Sequence, residues 1–308
     1  MTTQVDLVTG FLGAGKTTFL ARYGDWLNRQ GIRFAVIENE FGAAGVDRAV
    51  LSERFGNVGE LSGGCICCTL KTGFHAMLAD LAGKCDRILV EPSGLFDMDD
   101  FFEILWSLER DGLCRMGMCL TLIDPHVLPG LQEQELDVLW TELTGTGAVV
   151  WTQADVPPET DLNASAREVS AILGLEPPLT FYPVPSHGLT DADFAALQRC
   201  GPVRREHRRK LVNHQQMFQS ASLRPGGIFT KETLAEALDA MMASPSAGEI
   251  LRIKGFVRSD TGSLSVNYTV GGRSVVPCAS VHPMLNVIGR RLDRKQIKQA
   301  LDAVMLPG

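Results

Sequence analysis

Gly10-Phe11-Leu12-Gly13-Ala14-Gly15-Lys16-Thr17 fits the spacing G-x-x-x-x-G-K-[ST]. The residue types dictate a chemistry. Glycines let successive backbone N–H groups turn inward around phosphate oxygens. A helix N-terminus just beyond adds partial positive charge. Lys16 is spaced to reach the outer phosphates and the Thr17 hydroxyl to bind Mg2+, with Gly10, Gly13, Ala14, Gly15 and Thr18 completing the cradle. Two further segments close apolar runs. In Glu91-Pro92-Ser93-Gly94 the Glu91 carboxylate can hold the Mg2+ shell or orient water, and the Gly94 N–H can meet a γ-phosphate. In Trp151-Thr152-Gln153-Ala154-Asp155 the aspartate can accept two hydrogen bonds from a guanine edge. Hydrolysis would rest on Lys16 with Glu91 or Glu40. The nucleophile is expected to be water, because no Ser/His/Asp or Cys/His pair is evident.

A second chemistry sits in Gly63-Gly64-Cys65-Ile66-Cys67-Cys68. In an extended segment Cys65 and Cys67 point to the same side, so their thiolates could grip one soft cation. Tetrahedral Zn2+ takes four ligands, and this motif offers three at most. The site must borrow a ligand, for which Glu38 and Glu40 of Glu38-Asn39-Glu40-Phe41-Gly42 are candidates, or leave a position open. An incomplete shell suits a metal that is passed on. The alternative is a buried or redox-active thiol cluster.

The elements that must position these residues alternate. Val5–Thr9 reads as a short buried strand, and Phe19, Leu20, Tyr23, Trp26 and Leu27 fall at helical spacing after it. Further strands are expected at Phe34–Ile37, Arg87–Glu91, Cys119–Ile123, Ala148–Thr152 and Thr180–Val184. Helices are expected over 71–83, 99–110 and 162–173. This alternation predicts an α/β fold, a mostly parallel sheet with helices on both faces. The last hundred residues differ. Leu234, Ala237, Leu238, Met241 and Met242 mark a helix. Leu251–Arg258, Ser263–Val270 and Ser274–Pro277 read as antiparallel strands. A final helix carries Ile297, Leu301 and Val304, with Asp293 and Gln296 at capping-box spacing. The expected organisation is a nucleotide-binding domain over 1–203 and a small α+β domain over 204–308. RREHRRK (204–210) lacks interleaved aromatics and reads as a solvated linker.

Composition bounds the class. Of 308 residues 45% are hydrophobic and 21% charged, which is globular rather than disordered. A net charge of −7 gives no electrostatic footprint for nucleic acid or an anionic membrane. The first residues lack the pattern of a signal peptide and no apolar run is long enough to span a bilayer, so a cytoplasmic protein is expected. The eight cysteines are then expected to be reduced.

GFLGAGKTT (10–18), ENEFG (38–42), GGCICC (63–68), EPSG (91–94) and TQAD (152–155) together resemble the CobW/HypB/UreG group of P-loop GTPases, and within it the CobW-like metallochaperones. The likeness covers roughly the first 200 residues. It continues weakly through EILRIKGFV (249–257) and the last helix. The resemblance implies the P-loop NTPase fold and a slow, Mg2+-dependent GTPase. It also implies Zn2+ or Co2+ binding at Cys65, Cys67 and Cys68 and a GTP state coupled to metal delivery. The client would be a metalloenzyme or metallocofactor protein, and the chaperone a monomer or homodimer. Glu38 and Glu40 match the family's switch-I acidic residues. The chain has Gln153 where the family usually has lysine, carries Pro92, and lacks a histidine-rich tract. Two alternatives use the same residues. One is a nucleotide-dependent reactivator of a corrinoid or metalloenzyme with relaxed base choice. The other is a zinc-binding adaptor with a weak nucleotide site.

Overall fold

The computed structural model describes residues 2–11, 13–38, 58–60, 71–92, 98–124, 133–152, 179–183, 188–203, 205, 219–269, 272–278 and 283–306. Strands β1 (Thr3–Gly10), β2 (Phe34–Glu38), β3 (Val58–Glu60), β4 (Arg87–Glu91), β5 (Cys114–Ile123), β6 (Ala148–Trp151) and β7 (Phe181–Pro183) form one sheet. Its order is β3-β2-β4-β1-β5-β6-β7. Every pairing in it is parallel. Helices α1 (Lys16–Arg29) and α5 (Asp191–Leu197) cover one face, where Val8, Val36, Leu89, Leu120 and Leu122 pack against Phe19, Tyr23, Trp26 and Phe194. Helices α2 (Lys71–Leu81) and α3 (Met98–Arg110) cover the other, over Val5, Leu7, Ile88 and Val90. On that second side α4 (Glu133–Thr144) buries Leu139, Trp140 and Leu143 against Ile123, Val149 and Trp151. With both faces covered, the strands need apolar residues at nearly every position. That is why they read as continuous runs in the sequence.

One buried polar group ties the middle of the sheet. Asp6 on β1 accepts from Arg87 Nη1 of β4 at 2.5 Å, from the Met118 N–H at 2.8 Å and from the Tyr23 hydroxyl at 3.1 Å. Asp6 has no exposed surface, so removing Arg87 alone would strand a charge in the core.

The described residues divide into two compact units, one running through Arg205 and the other from Gln219 onward. In the second, β8 (Gln219–Leu223), β10 (Glu249–Ser259), β11 (Gly262–Thr269), β12 (Arg273–Cys278) and β13 (Met284–Arg290) form an antiparallel path of order β12-β11-β10-β13-β8. Strand β9 (Ile228–Phe229) runs parallel to β10. Helices α6 (Lys231–Ala243) and α7 (Arg294–Asp302) supply Leu234, Leu238, Met241, Ile297 and Leu301 to its core. Pro277 lies on the edge strand β12, where the lost N–H costs no ladder bond.

Several expectations need correction. The helix from residue 71 stops at Leu81, because the Ala82–Cys85 bridge and a left-handed Gly83 (φ 79°) turn the chain. Asp293 does cap α7, accepting from the Lys295 and Gln296 N–H groups, but its own N–H donates to the Ala247 carbonyl rather than closing a box with Gln296. A complete capping box forms instead at Thr190 and Asp193, ahead of α5. Arg205, inside the run read as a solvated linker, is 4% exposed. Its guanidinium donates to the Leu143 and Thr146 carbonyls, satisfying the C-terminal end of α4. Helix 162–173 lies outside the described residues. No helix among them is long and apolar enough to cross a membrane.

Candidate functional site: a phosphate loop above two carboxylates

The loop between β1 and α1 requires its glycines. Gly10 has φ 141°, and a Cβ there would lie 2.3 Å from the Leu122 carbonyl oxygen of β5. Gly15 caps α1 in the left-handed region, at φ 89°. The Ala14 N–H donates to the Phe11 carbonyl at 3.1 Å, and the Phe19 N–H begins the helix on Gly15. Lys16 is 6% exposed and its ammonium lies back over the loop, donating to the Gly10 carbonyl at 2.5 Å and the Phe11 carbonyl at 3.2 Å. The cationic group therefore stands at the loop's centre with its stem buried. Thr18 points outward from the first turn. Thr152, which leads into Gln153 and Asp155, lies beside Gly15: its Cγ2 is 3.7 Å from where a Gly15 Cβ would sit.

Below the loop the sequence's acidic candidates meet. Thr17 Oγ1 donates to Glu91 Oε1 at 2.9 Å. Glu38, last residue of β2, pairs in register with Glu91, last residue of β4. Both carboxylates lie on the α1 side of the sheet, and both are buried. The Thr17 hydroxyl and the Glu91 carboxylate, at the C-terminal edge of parallel strands, are hard oxygen donors of the kind that Mg2+ takes. The residues present fit that ion, with Thr17 and Glu91 as its holders. The edge is also where ligands bind in open parallel sheets.

Sequence reasoning missed Glu142. It sits on α4 among Leu139, Trp140 and Leu143, with no exposed surface. Its carboxyl faces the Thr9 hydroxyl, the Gly10 N–H and the Lys16 ammonium. Burial pushes it up to about 7, against the lowering pull of Lys16, Thr9 and Gly10. A single glutamate inside the apolar pattern LWTEL was the available signal.

Three of the remaining cysteines are core residues. Burial pushes Cys119 up to about 12 and Cys114 up to about 11, and it also raises Cys85. All three pack in the apolar core beneath α2 and α3. Cys65, Cys67, Cys68, Glu40, Gly94, Gln153 and Asp155 lie outside the described residues. Among the described residues no three His, Cys, Asp or Glu side chains are grouped to hold a metal.

Comparisons with known proteins bear on the whole constellation. Residues 4–176 match the family model described as "CobW/HypB/UreG, nucleotide-binding domain". Residues 218–305 match the "Cobalamin synthesis protein cobW C-terminal domain". The chain is 39% identical over 139 residues to "Zinc chaperone CobW" of Pseudomonas aeruginosa, covering 41% of this chain and 36% of that one. It is 32% identical over 168 residues to "Zinc chaperone YjiA" of Escherichia coli, covering 51% of each. It is 29% identical over 164 residues to "Zinc-regulated GTPase metalloprotein activator 1" of Schizosaccharomyces pombe, covering 49% and 39%. The chain thus spans about half the length, or less, of the curated relatives it matches.

Proposed function

The chain belongs to the CobW/HypB/UreG family, and from that premise we propose that it is a Mg2+-dependent GTPase whose nucleotide state gates the delivery of zinc to a client metalloprotein. The observation that carries the reading is the Thr17–Glu91 contact beneath the phosphate loop, in a chain that also holds the CxCC motif. The loop N–H groups and Lys16 bind the β- and γ-phosphates, where preorganised donors can stabilise charge that develops in transfer. Mg2+ supplies charge neutralisation at those phosphates when held by Thr17 and Glu91. Glu91 or Glu40 orients the attacking water. Gly94 senses the γ-phosphate and Asp155 reads the guanine edge.

Zinc is the cargo, gripped by Cys65, Cys67 and Cys68 with Glu38 as the candidate fourth ligand; Co2+ is the other ion this donor set would take. Glu38 pairs in register with Glu91 on one side and with Glu60 on the other, and Glu60 closes β3 just ahead of the thiol motif, so neighbouring strand ends serve the Mg2+ side and the thiols. Loss of the γ-phosphate releases the loops after β2 and β4, and loosened loops release metal. Gln153, in place of lysine, favours a second reading with relaxed base choice, in which ATP also serves. The working protein acts as a monomer or homodimer in the cytoplasm.

The test uses two variants. Lys16→Ala is expected to weaken GTP binding about 10–100-fold, the loss of one charge-assisted bond of roughly 1.5–3 kcal/mol. Cys65→Ser/Cys67→Ser is expected to lose its zinc while still binding GTP. Equal zinc content in wild type and the double variant would overturn the metal half of the proposal. Unchanged GTP binding in Lys16→Ala would overturn the nucleotide half.

A further inference from the structure

The nucleotide reading uses the groups above the loop and leaves the buried carboxyl behind it without a role. Glu142 reaches this place from α4, on the side of the sheet opposite α1. Its helix is anchored at both levels. The Thr121 hydroxyl of β5 donates to the Glu142 carbonyl at 3.2 Å, and Arg205 binds the carbonyls of Leu143 and Thr146 at the helix end. The side chain is thereby held against the last two residues of β1. Among the described residues, neither Glu142 carboxylate oxygen nor the Thr9 hydroxyl has a partner at standard hydrogen-bond geometry. They lie close enough to one another and to the Gly10 N–H for Thr9 and Gly10 both to pull the Glu142 carboxyl down. From α1 the charged group acting on Glu142 is Lys16. β1 and β5 contribute uncharged Thr9, Gly10 and Thr121, and Arg205 lies beyond on the helix carbonyls.

A carboxylate buried this fully needs a counter-charge. The Lys16 ammonium is that counter-charge, and it is also the group that must turn to the phosphates. We propose that Glu142 is a proton-linked positioning residue of the phosphate site, taking up a proton when the phosphates of a nucleotide claim Lys16. The inference rests on the nucleotide reading above. Its direction follows from charge. Ionised, Glu142 holds Lys16 back toward Gly10 and faces incoming negative charge. Protonated, it is neutral, can donate to Thr9, and leaves Lys16 to the phosphates. Its titration lies near neutrality, within reach of cellular pH. Nucleotide affinity therefore rises as pH falls through neutrality. By linkage, binding at pH 7.5–8.5 draws a proton from solvent.

Isothermal titration of the full chain with GDP, from pH 6 to 8.5 and in buffers of different ionisation enthalpy, tests this. Wild type is expected to take up protons on binding at pH 8. Glu142→Gln, neutral and of the same shape, is expected to take up fewer. The two affinities are expected to converge at pH 6. At pH 8.5 the variant should be about tenfold tighter, corresponding to a shift of one pK unit by the phosphates. A merely structural role would lower affinity at every pH without changing its slope. Identical pH slopes and proton uptake in the two proteins would overturn the inference while the nucleotide reading stood. Absence of nucleotide binding by wild type at every pH would overturn both. If the variant does not fold, proton uptake by wild type decides alone: none at pH 8 would overturn the proposal.

Discussion

Gly10 shows how much one residue type decides at the end of β1. Its φ of 141° and the Leu122 carbonyl 2.3 Å from a notional Cβ leave no room for a side chain. Gly10→Ala should strain the loop and push β1 from β5. A destabilisation of about 1–3 kcal/mol, read as a fall of roughly 2–12 °C in Tm, is expected with loss of nucleotide binding. An unchanged Tm would mean the loop does not hold this geometry. The cysteines make the opposite point, that type without environment misleads. Cys114 and Cys119 are thiols in an apolar core, pushed up to about 11 and about 12. Raised pKa values keep both thiols protonated at and below pH 8, and burial keeps reagents from them. Alkylation of the native protein at pH 8, mapped by mass spectrometry, should spare both; labelling of either would contradict the assignment. The phosphate-loop residues were legible because their spacing is itself the chemistry. Glu142 was not, because a glutamate between Leu139 and Leu143 looks like one polar position of an amphipathic helix until the helix is docked.

At the scale of elements, apolar runs marked the continuous strands, while short elements and the twelve-residue α4 escaped. β1, β2 and β4 stood out as apolar runs because both of their faces are covered. β3 is only three residues, and α5 only seven. β13 escaped although it is an interior strand of the second sheet, between β10 and β8. Its sequence MLNVIGR carries Asn286, buried at 1% and accepting from Ser220 and Ser222 of β8. A polar residue satisfied across the sheet interrupts the apolar pattern that would have flagged the strand. The caps tell the same story. Asp293 was found by its spacing, yet its N–H is taken by Ala247, a partner no local rule could supply. Its side chain still satisfies two N–H groups of α7. Asp293→Ala should therefore cost about 1 kcal/mol, seen as a Tm lower by roughly 2–4 °C. No change would mean that water replaces the cap at no cost.

At the scale of the molecule, the sequence divides by pattern where the structure divides by contact. Alternating strands and helices end in one compact unit, and meandering antiparallel strands form another. Arg205, at the start of the basic run, is bound to the end of α4 and so belongs to the first unit. Within the first unit, the parallel sheet places Thr17, Glu38 and Glu91 at one edge with the phosphate loop. The thiol motif follows β3, whose last residue Glu60 pairs in register with Glu38 at the same edge. The proposed sharing of one edge by nucleotide and metal gives a physical route for coupling, and coupling between two binding sites is reciprocal.

The most direct test is an equilibrium titration of the purified chain with GTP and with ATP, in Mg2+, with and without one equivalent of zinc. The account predicts binding of GTP in preference to ATP, with an affinity that changes when zinc is present. Tight zinc binding that leaves both nucleotide titrations unchanged would contradict it.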